Sequence, residues 1–236
     1  MQIKIMTFNV QHFREFYSGN VEYEPFAEAI RESGADIVGI NESYGANSSF
    51  GKRAQAEELA EALGWNWYFA EATHLGDGSY GNSIVSKYPL KNERTVVIPD
   101  PRRRRFDGYY ETRCVLLCTA LIDGVELDIA VTHFGLNPDE HKKAVRKVKH
   151  LIRPRRFVLM GDLNVEPDDG ILAPIGKRLA DTAALLGEDR LTFPSDSPKK
   201  KIDYLFVSPD IKVLSAEIPP LVVSDHRPYL AELEIY

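Results

Sequence analysis

Short runs in which apolar and polar residues alternate recur from one end of the chain to the other, with the period of two expected of half-buried strands. Residues 2–9, 36–41, 66–70, 82–86, 93–98, 112–122, 125–132, 157–161, 202–207, 211–218 and 228–235 are rich in Val, Ile, Phe and Tyr. Bounded by Gly, Pro, Asp or Asn, they predict strands. Asp123-Gly124 predicts a two-residue hairpin turn between two of them. Helical spacing predicts helices over 25–33, 52–63 and 138–152, and a further one within 171–186. Gly34 and Gly64 follow the first two as left-handed C-caps. The third opens on Asn137, Pro138 and Glu140, a capping box, and carries Ala144, Val145, Val148, Leu151 and Ile152 as its apolar stripe. Eleven strands against about four helices, with no linker or repeat, predict two packed sheets covered by helices, in one domain spanning 1–236.

Strand parity also assigns faces. Ile3, Ile5 and Thr7 lead in phase to Asn9, and Val38 and Ile40 to Glu42. Leu127, Ile129 and Val131 lead to His133, and Val158 and Met160 to Asp162 and then Asn164. Leu221 and Val223 lead to Asp225, with His226 next, while Asp203 lies mid-strand on the side of Leu205 and Val207. A single Asn or Asp after a strand is most often a turn residue. Turn chemistry does not account for the repetition across six strand ends or interiors. A buried carboxylate must be paired, hydrogen-bonded or cation-bound, since isolating it costs several kcal/mol. Asp203 therefore needs a partner, and a histidine would serve.

Carboxylate and amide oxygens suit Mg2+ or Mn2+, and the histidines suit hydrogen bonds to a phosphoryl oxygen. A remaining carboxylate can orient or deprotonate a water, which points to metal-assisted hydrolysis of a phosphate ester. CxxC and HExxH zinc spacings, a P-loop, a GxGxxG run and a GxSxG elbow are all absent from the sequence. Ser224, Asp225 and His226 are adjacent and cannot form the line of a catalytic triad. Glycosidic hydrolysis by paired carboxylates would leave the amides and histidines unexplained.

Composition narrows the setting. With 44% hydrophobic and 27% charged residues the chain is not of the disordered class. No apolar run reaches the ~18 residues of a membrane span, and the N-terminus lacks the pattern of a signal peptide. Cys114 and Cys118 share one face of a predicted strand, about 13 Å apart and too far for a disulfide. A cytoplasmic, disulfide-free protein is the expectation.

In order along the chain, TFNV (7–10), INES (40–43), YGNSIVS (80–86), VTHF (131–134), GDLN (161–164), KIDYLF (201–206) and SDHRP (224–228) resemble the motifs of the endonuclease/exonuclease/phosphatase superfamily. The resemblance implies an α/β fold in four layers, an αββα sandwich of two mixed β-sheets packed face to face with helices outside. It also implies a divalent cation, Mg2+ or Mn2+, at one end. Glu42 would be the principal metal ligand, supported by Asn9 and by Asp225 through water. Asp162 would orient or activate the attacking water, and Asn164 would help hold it or the phosphate. His226 would contact the scissile phosphate, its ring fixed and polarised by Asp203. His133 would donate a second hydrogen bond, and Asn82 would orient His133 or the substrate. Two positions depart from the pattern: Asn41 stands where many members have Gln, and Gln11 where the exonuclease III-like abasic endonucleases carry a carboxylate.

Loops should set which ester is cleaved. Arg102, Arg103, Arg104, Arg105 and Arg113, interleaved with Phe106, Tyr109 and Tyr110, form a candidate phosphate- and substrate-binding segment. The basic run at 141–150 reads as the exposed face of its helix. A net charge of −6 counts against binding of long duplex nucleic acid. The expectation is a Mg2+-dependent hydrolase of a small-molecule or lipid-linked phosphate ester. A nuclease acting on the DNA backbone is the alternative, and a silent phosphate-binding module stands behind both. No obligate protein partner is evident.

Overall fold

The alternating runs become two mixed sheets of six strands each. The structure, a computed structural model, describes residues 1–76, 78–187 and 190–236. Its strands are β1 (Gln2–Asn9), β2 (Ile37–Tyr44), β3 (Asn66–Leu75), β4 (Gly78–Ser86), β5 (Leu90–Ile98), β6 (Arg113–Ile122), β7 (Val125–Thr132), β8 (Phe157–Asp162), β9 (Ala180–Asp181), β10 (Asp203–Val207), β11 (Lys212–Glu217) and β12 (Tyr229–Glu234). The helices are α1 (Glu24–Ser33), α2 (Gln55–Leu63), α3 (Pro138–Lys149) and the single turn α4 (Ala173–Gly176).

One sheet has the order β11-β12-β1-β2-β4-β3 and the other β5-β6-β7-β8-β10-β9. Strand parity separates three apolar layers. Ile3, Ile5, Ile129, Val131, Val158, Met160, Leu205 and Val207 fill the space between the sheets. Met6, Phe8, Val38 and Ile40 point the other way, onto Phe26, Ile30 and Leu59 of α1 and α2. Leu159, Tyr204 and Phe206 likewise face Ala144, Val148 and Ile175 of α3 and α4. Helix, sheet, sheet, helix is the result.

Local signals act as their chemistry requires. Gly34 and Gly64 close α1 and α2 in the left-handed conformation, and the capping box of Asn137 and Glu140 opens α3. Asp123 and Gly124, with φ of 46° and 85°, form the β6–β7 hairpin turn. The helix expected within 171–186 is not formed beyond α4. After Gly176 the chain leaves the helix, Ala180–Asp181 pairs with Phe206 and Val207 of β10 as an edge strand, and Thr182–Leu185 makes only a short 3-10 turn. Leu221 to Asp225 is irregular chain and not a strand, so parity does not govern it.

The topology gathers particular strand ends. β1 and β2 run parallel, as do β7 and β8, so each pair brings its carboxyl ends side by side. β10 runs antiparallel to β8 with Asp203 opposite Asp162. β12 runs antiparallel to β1 with Tyr229 opposite Thr7, which delivers the residues before it to the Asn9 end.

Candidate active site

Asn9 ends β1 on the inter-sheet face, buried, and its side-chain nitrogen donates to Glu42 Oε1 at 3.0 Å and to Asp162 Oδ2 at 3.1 Å. The backbone N–H of Gln11 donates to its oxygen at 3.2 Å. Glu42 reaches this point by an irregularity. Val38 and Ile40 face the helices and not the other sheet, so simple phase would send Glu42 outward. A bulge between Asn41 and Ser43, with Glu42 at φ 62°, turns its carboxylate into the site.

Asp162 ends β8 and is buried. Its backbone N–H donates to Asn41 Oδ1 at 2.8 Å, while Asn41 Nδ2 donates to Asn82 Oδ1 at 2.8 Å and to the Thr132 carbonyl at 3.1 Å. Asn41 thus ties four strands of both sheets together beneath the acid. Gly161 is required beside it, because a Cβ there would lie 1.8 Å from the Thr132 carbonyl oxygen. Burial, opposed by His226 and reinforced by the like charges of Asp203 and Glu42, raises Asp162 to about 7.

The partner required by Asp203 is present. His226 Nδ1 lies 2.8 Å from Asp203 Oδ2, and its Nε2 lies 3.7 Å from Asp162 Oδ2. Burial alone would lower the ring's pKa, but Asp203, joined by Asp162 and Asp225, outweighs it and raises His226 to about 10. His133 behaves oppositely. Burial and then the positive charges of Arg113 and His226 hold it well below its ordinary value, so the ring is neutral. Arg113 Nη1 donates to His133 Nδ1 at 3.1 Å, and His133 Nε2 lies 3.5 Å from Asp162 Oδ2 and 3.0 Å from the Asn164 amide.

Glu42, Arg113, His133, Asp162, Asn164, Asp225 and His226 line one open cavity of about 700 Å³, with Asn9 and Asp203 outside that lining. A hollow of about 410 Å³ bordered by Asn92, Arg94, Cys118 and Asp128 holds none of them. Two expected substrate contacts do not lie here. Asn82 is buried between the sheets, outside the cavity lining, where its amide is engaged with Asn41 and the Cys114 carbonyl. Arg102 to Arg105 are exposed on the loop before β6, outside the cavity lining, with Arg104 paired to Asp100 at 2.8 Å.

Other residues complete the wall; Tyr80 opens YGNSIVS and Tyr109 lies in the arginine-rich segment, while the rest carried no sequence signal of their own. His12, Tyr80, Tyr109, Glu111, Phe193 and Lys200 line the cavity. His12 sits in a turn where Gln11, His12 and Phe13 all have positive φ, and its Nε2 lies 3.8 Å from Glu42 Oε2. Gln55 holds that turn: its side chain donates to the His12 carbonyl and accepts from the Tyr44 N–H, both at 2.8 Å.

The model of the Endonuclease/Exonuclease/phosphatase family matches residues 6–226. The chain belongs to this family. Its members are phosphoesterases or hydrolases, generally dependent on a divalent metal. The uncharacterized protein YbhP of Escherichia coli K12 is 23% identical, over 98% of this chain and 96% of that protein. A mannosyl-6-phosphatase of Bacteroides thetaiotaomicron shares the fold with a TM-score of 0.76 at 18% identity, covering 99% of this chain and 100% of that one. TDP2 of D. rerio, solved with a single-strand DNA product, has a TM-score of 0.70 at 15% identity, with 99% of each chain covered.

Proposed function

We propose that this family member hydrolyses a small or lipid-linked phosphate ester with the help of Mg2+ or Mn2+. The observation that carries the reading is the convergence of Glu42, Asp162, His133 and His226, from four separate parts of the chain, on one cavity.

The donor set fits a hard cation. Glu42 and Asp162 both accept from the same amide N–H group, Asn9 Nδ2, and among the described residues no sulfur donor lines the cavity. Asp225 is raised by burial and by the charge of Glu42, so two acids crowd the same space. Glu42 would hold the ion, with Asn9 and Asp225 beside it. Asp162, Asp203 and His226 also offer potential ligand atoms within 4.8 Å of one another, but His226 Nδ1 is already engaged by Asp203 Oδ2. The chemistry a bound Mg2+ or Mn2+ ion supplies is neutralisation of charge on the phosphoryl oxygens.

The chain's own groups divide the remaining work. Asp162, buried and with raised proton affinity, accepts the proton of the attacking water. His226, held cationic by Asp203, donates from Nε2 to a phosphoryl oxygen. Arg113 can only donate, so His133 Nδ1 accepts and Nε2 carries the proton that faces the pocket. Asn164, whose Nδ2 donates to the Phe134 carbonyl at 3.2 Å and lies 3.0 Å from His133 Nε2, would fix the place of the ring beside the phosphate.

Around these groups the wall carries Glu111, Glu166, Asp169 and Asp225 against Arg113 and Lys200. That balance suits one phosphate on an uncharged body better than a succession of backbone phosphates. A Mg2+ activity panel of sugar phosphates, inositol phosphates, phospholipids, nucleotide conjugates and abasic, nicked and linear DNA tests the reading. Turnover of a small or lipid-linked ester is expected, reduced at least about a hundredfold by Asp162→Ala or His226→Ala. DNA cleavage well above all other arms, or full activity in either variant, overturns it.

A further inference from the structure

The loop from Pro99 to Thr112 and the outer face of α3 form one surface. Lys143 Nζ donates to the Asp100 carbonyl at 2.8 Å, and the Arg105 N–H donates to Asp139 at 3.2 Å. Arg146, Lys147 and His150 border a hollow whose other side is Ile98 and Pro99. Nine cations lie on these two segments: Arg102 to Arg105, Lys142, Lys143, Arg146, Lys147 and Lys149. Asp100, Asp107, Glu111, Asp139 and Glu140 are their acids, so this part is positive in a chain whose total is −6. Among these nine, only Arg104 has an ion-pair partner within the described residues.

Apolar side chains project from the same surface. Phe106 is 46% exposed, Tyr109 57% and Leu136 55%. Tyr109 and Leu136 stand together, since Asn137 Nδ2 donates to the Tyr109 carbonyl at 2.8 Å, and Phe106 lies three residues before Tyr109 on the same loop.

We propose that this face docks the protein on an anionic lipid surface. Cations contact the head groups while Phe106, Tyr109 and Leu136 enter the boundary beneath them. A nucleic-acid strand fits less well. Leu136 offers no π-face for a base, and a strand leading into the cavity would meet Glu111, Glu166 and Asp169. Tyr109 and Leu136 also line the cavity, so docking sets its mouth toward the head groups. The inference goes beyond the hydrolytic reading and does not depend on it.

The test is co-sedimentation in chelator, where no turnover is needed. The probes are vesicles of phosphatidylcholine alone and of phosphatidylcholine with about 30% phosphatidylglycerol. Binding to the anionic vesicles is expected at about 50 mM salt, and at least tenfold weaker binding at about 500 mM or to neutral vesicles. The combined variant R102E/R103E/R105E/R146E/K147E should lose at least about tenfold, and so should F106S/L136S, a second variant that keeps every charge. Equal binding to both vesicle types, no binding to either, no loss in a folded variant, or tighter binding of single-strand or duplex oligonucleotide overturns the proposal.

Discussion

At the scale of single residues, the site is built on charges held where water is scarce, and the same physics operates just outside it. Lys201 is buried, with Nζ 3.2 Å from Asp181 Oδ2 and 3.2 Å from the centre of the Tyr204 ring. Burial, only partly offset by Asp181, lowers it to about 8. Between that value and the ordinary lysine range the unfolded chain binds more protons than the folded one, so this residue makes stability rise with pH across that window. Below it the cost of keeping the charge buried is fully present. Urea unfolding at pH 7.5 and 9.5 is expected to show wild type gaining on the order of 2 kcal/mol relative to Lys201→Met. A pH-independent difference would refute the assignment.

At the scale of elements, regular strands were legible and their interruptions were not. Asn9 and Asp162 end β1 and β8 on the inter-sheet face, His133 directly follows β7, and Asp203 opens β10, because each continues an unbroken alternation. Glu42 was singled out by a phase that in fact points at the helices; the bulge, invisible to parity, brings it inward. His12 was missed because nothing in its neighbours announces three successive left-handed residues. β9 was read as helix because a two-residue strand exists only through its partner on β10. Gln55, at the start of α2, locks the His12 turn to the end of β2. Gln55→Ala leaves a buried N–H and carbonyl without partners and should cost about 1–3 kcal/mol in denaturant unfolding. It should also lower turnover through displacement of Glu42 and His12. Wild-type stability in that variant would show that the turn holds itself.

At the scale of the molecule, the core and the site are separable. Three apolar layers hold the sheets and helices together without any metal ligand among them. Chelation should therefore abolish turnover while the far-UV circular dichroism stays unchanged and Tm falls by no more than about 5 °C, the loss of a bound ligand's stabilisation. Unfolding in chelator would mean that the cation is structural. The face-to-face sandwich was legible from strand count and motif order, whereas the loop before β6 was not. Its arginines were expected at the substrate, yet they stand outside the cavity while Glu111 and Arg113 of the same segment enter it.

The central claim is that acids and imidazoles gathered from both sheets cleave a phosphate ester around a hard cation held by Glu42. Its most direct test is the initial rate of bis(p-nitrophenyl) phosphate hydrolysis by chelator-treated protein as Mg2+ is returned, for wild type beside Glu42→Gln. Wild type should be silent in chelator and recover saturably with Mg2+, while Glu42→Gln stays at least about a hundredfold slower. Turnover in chelator, or equal recovery by Glu42→Gln, would contradict the account.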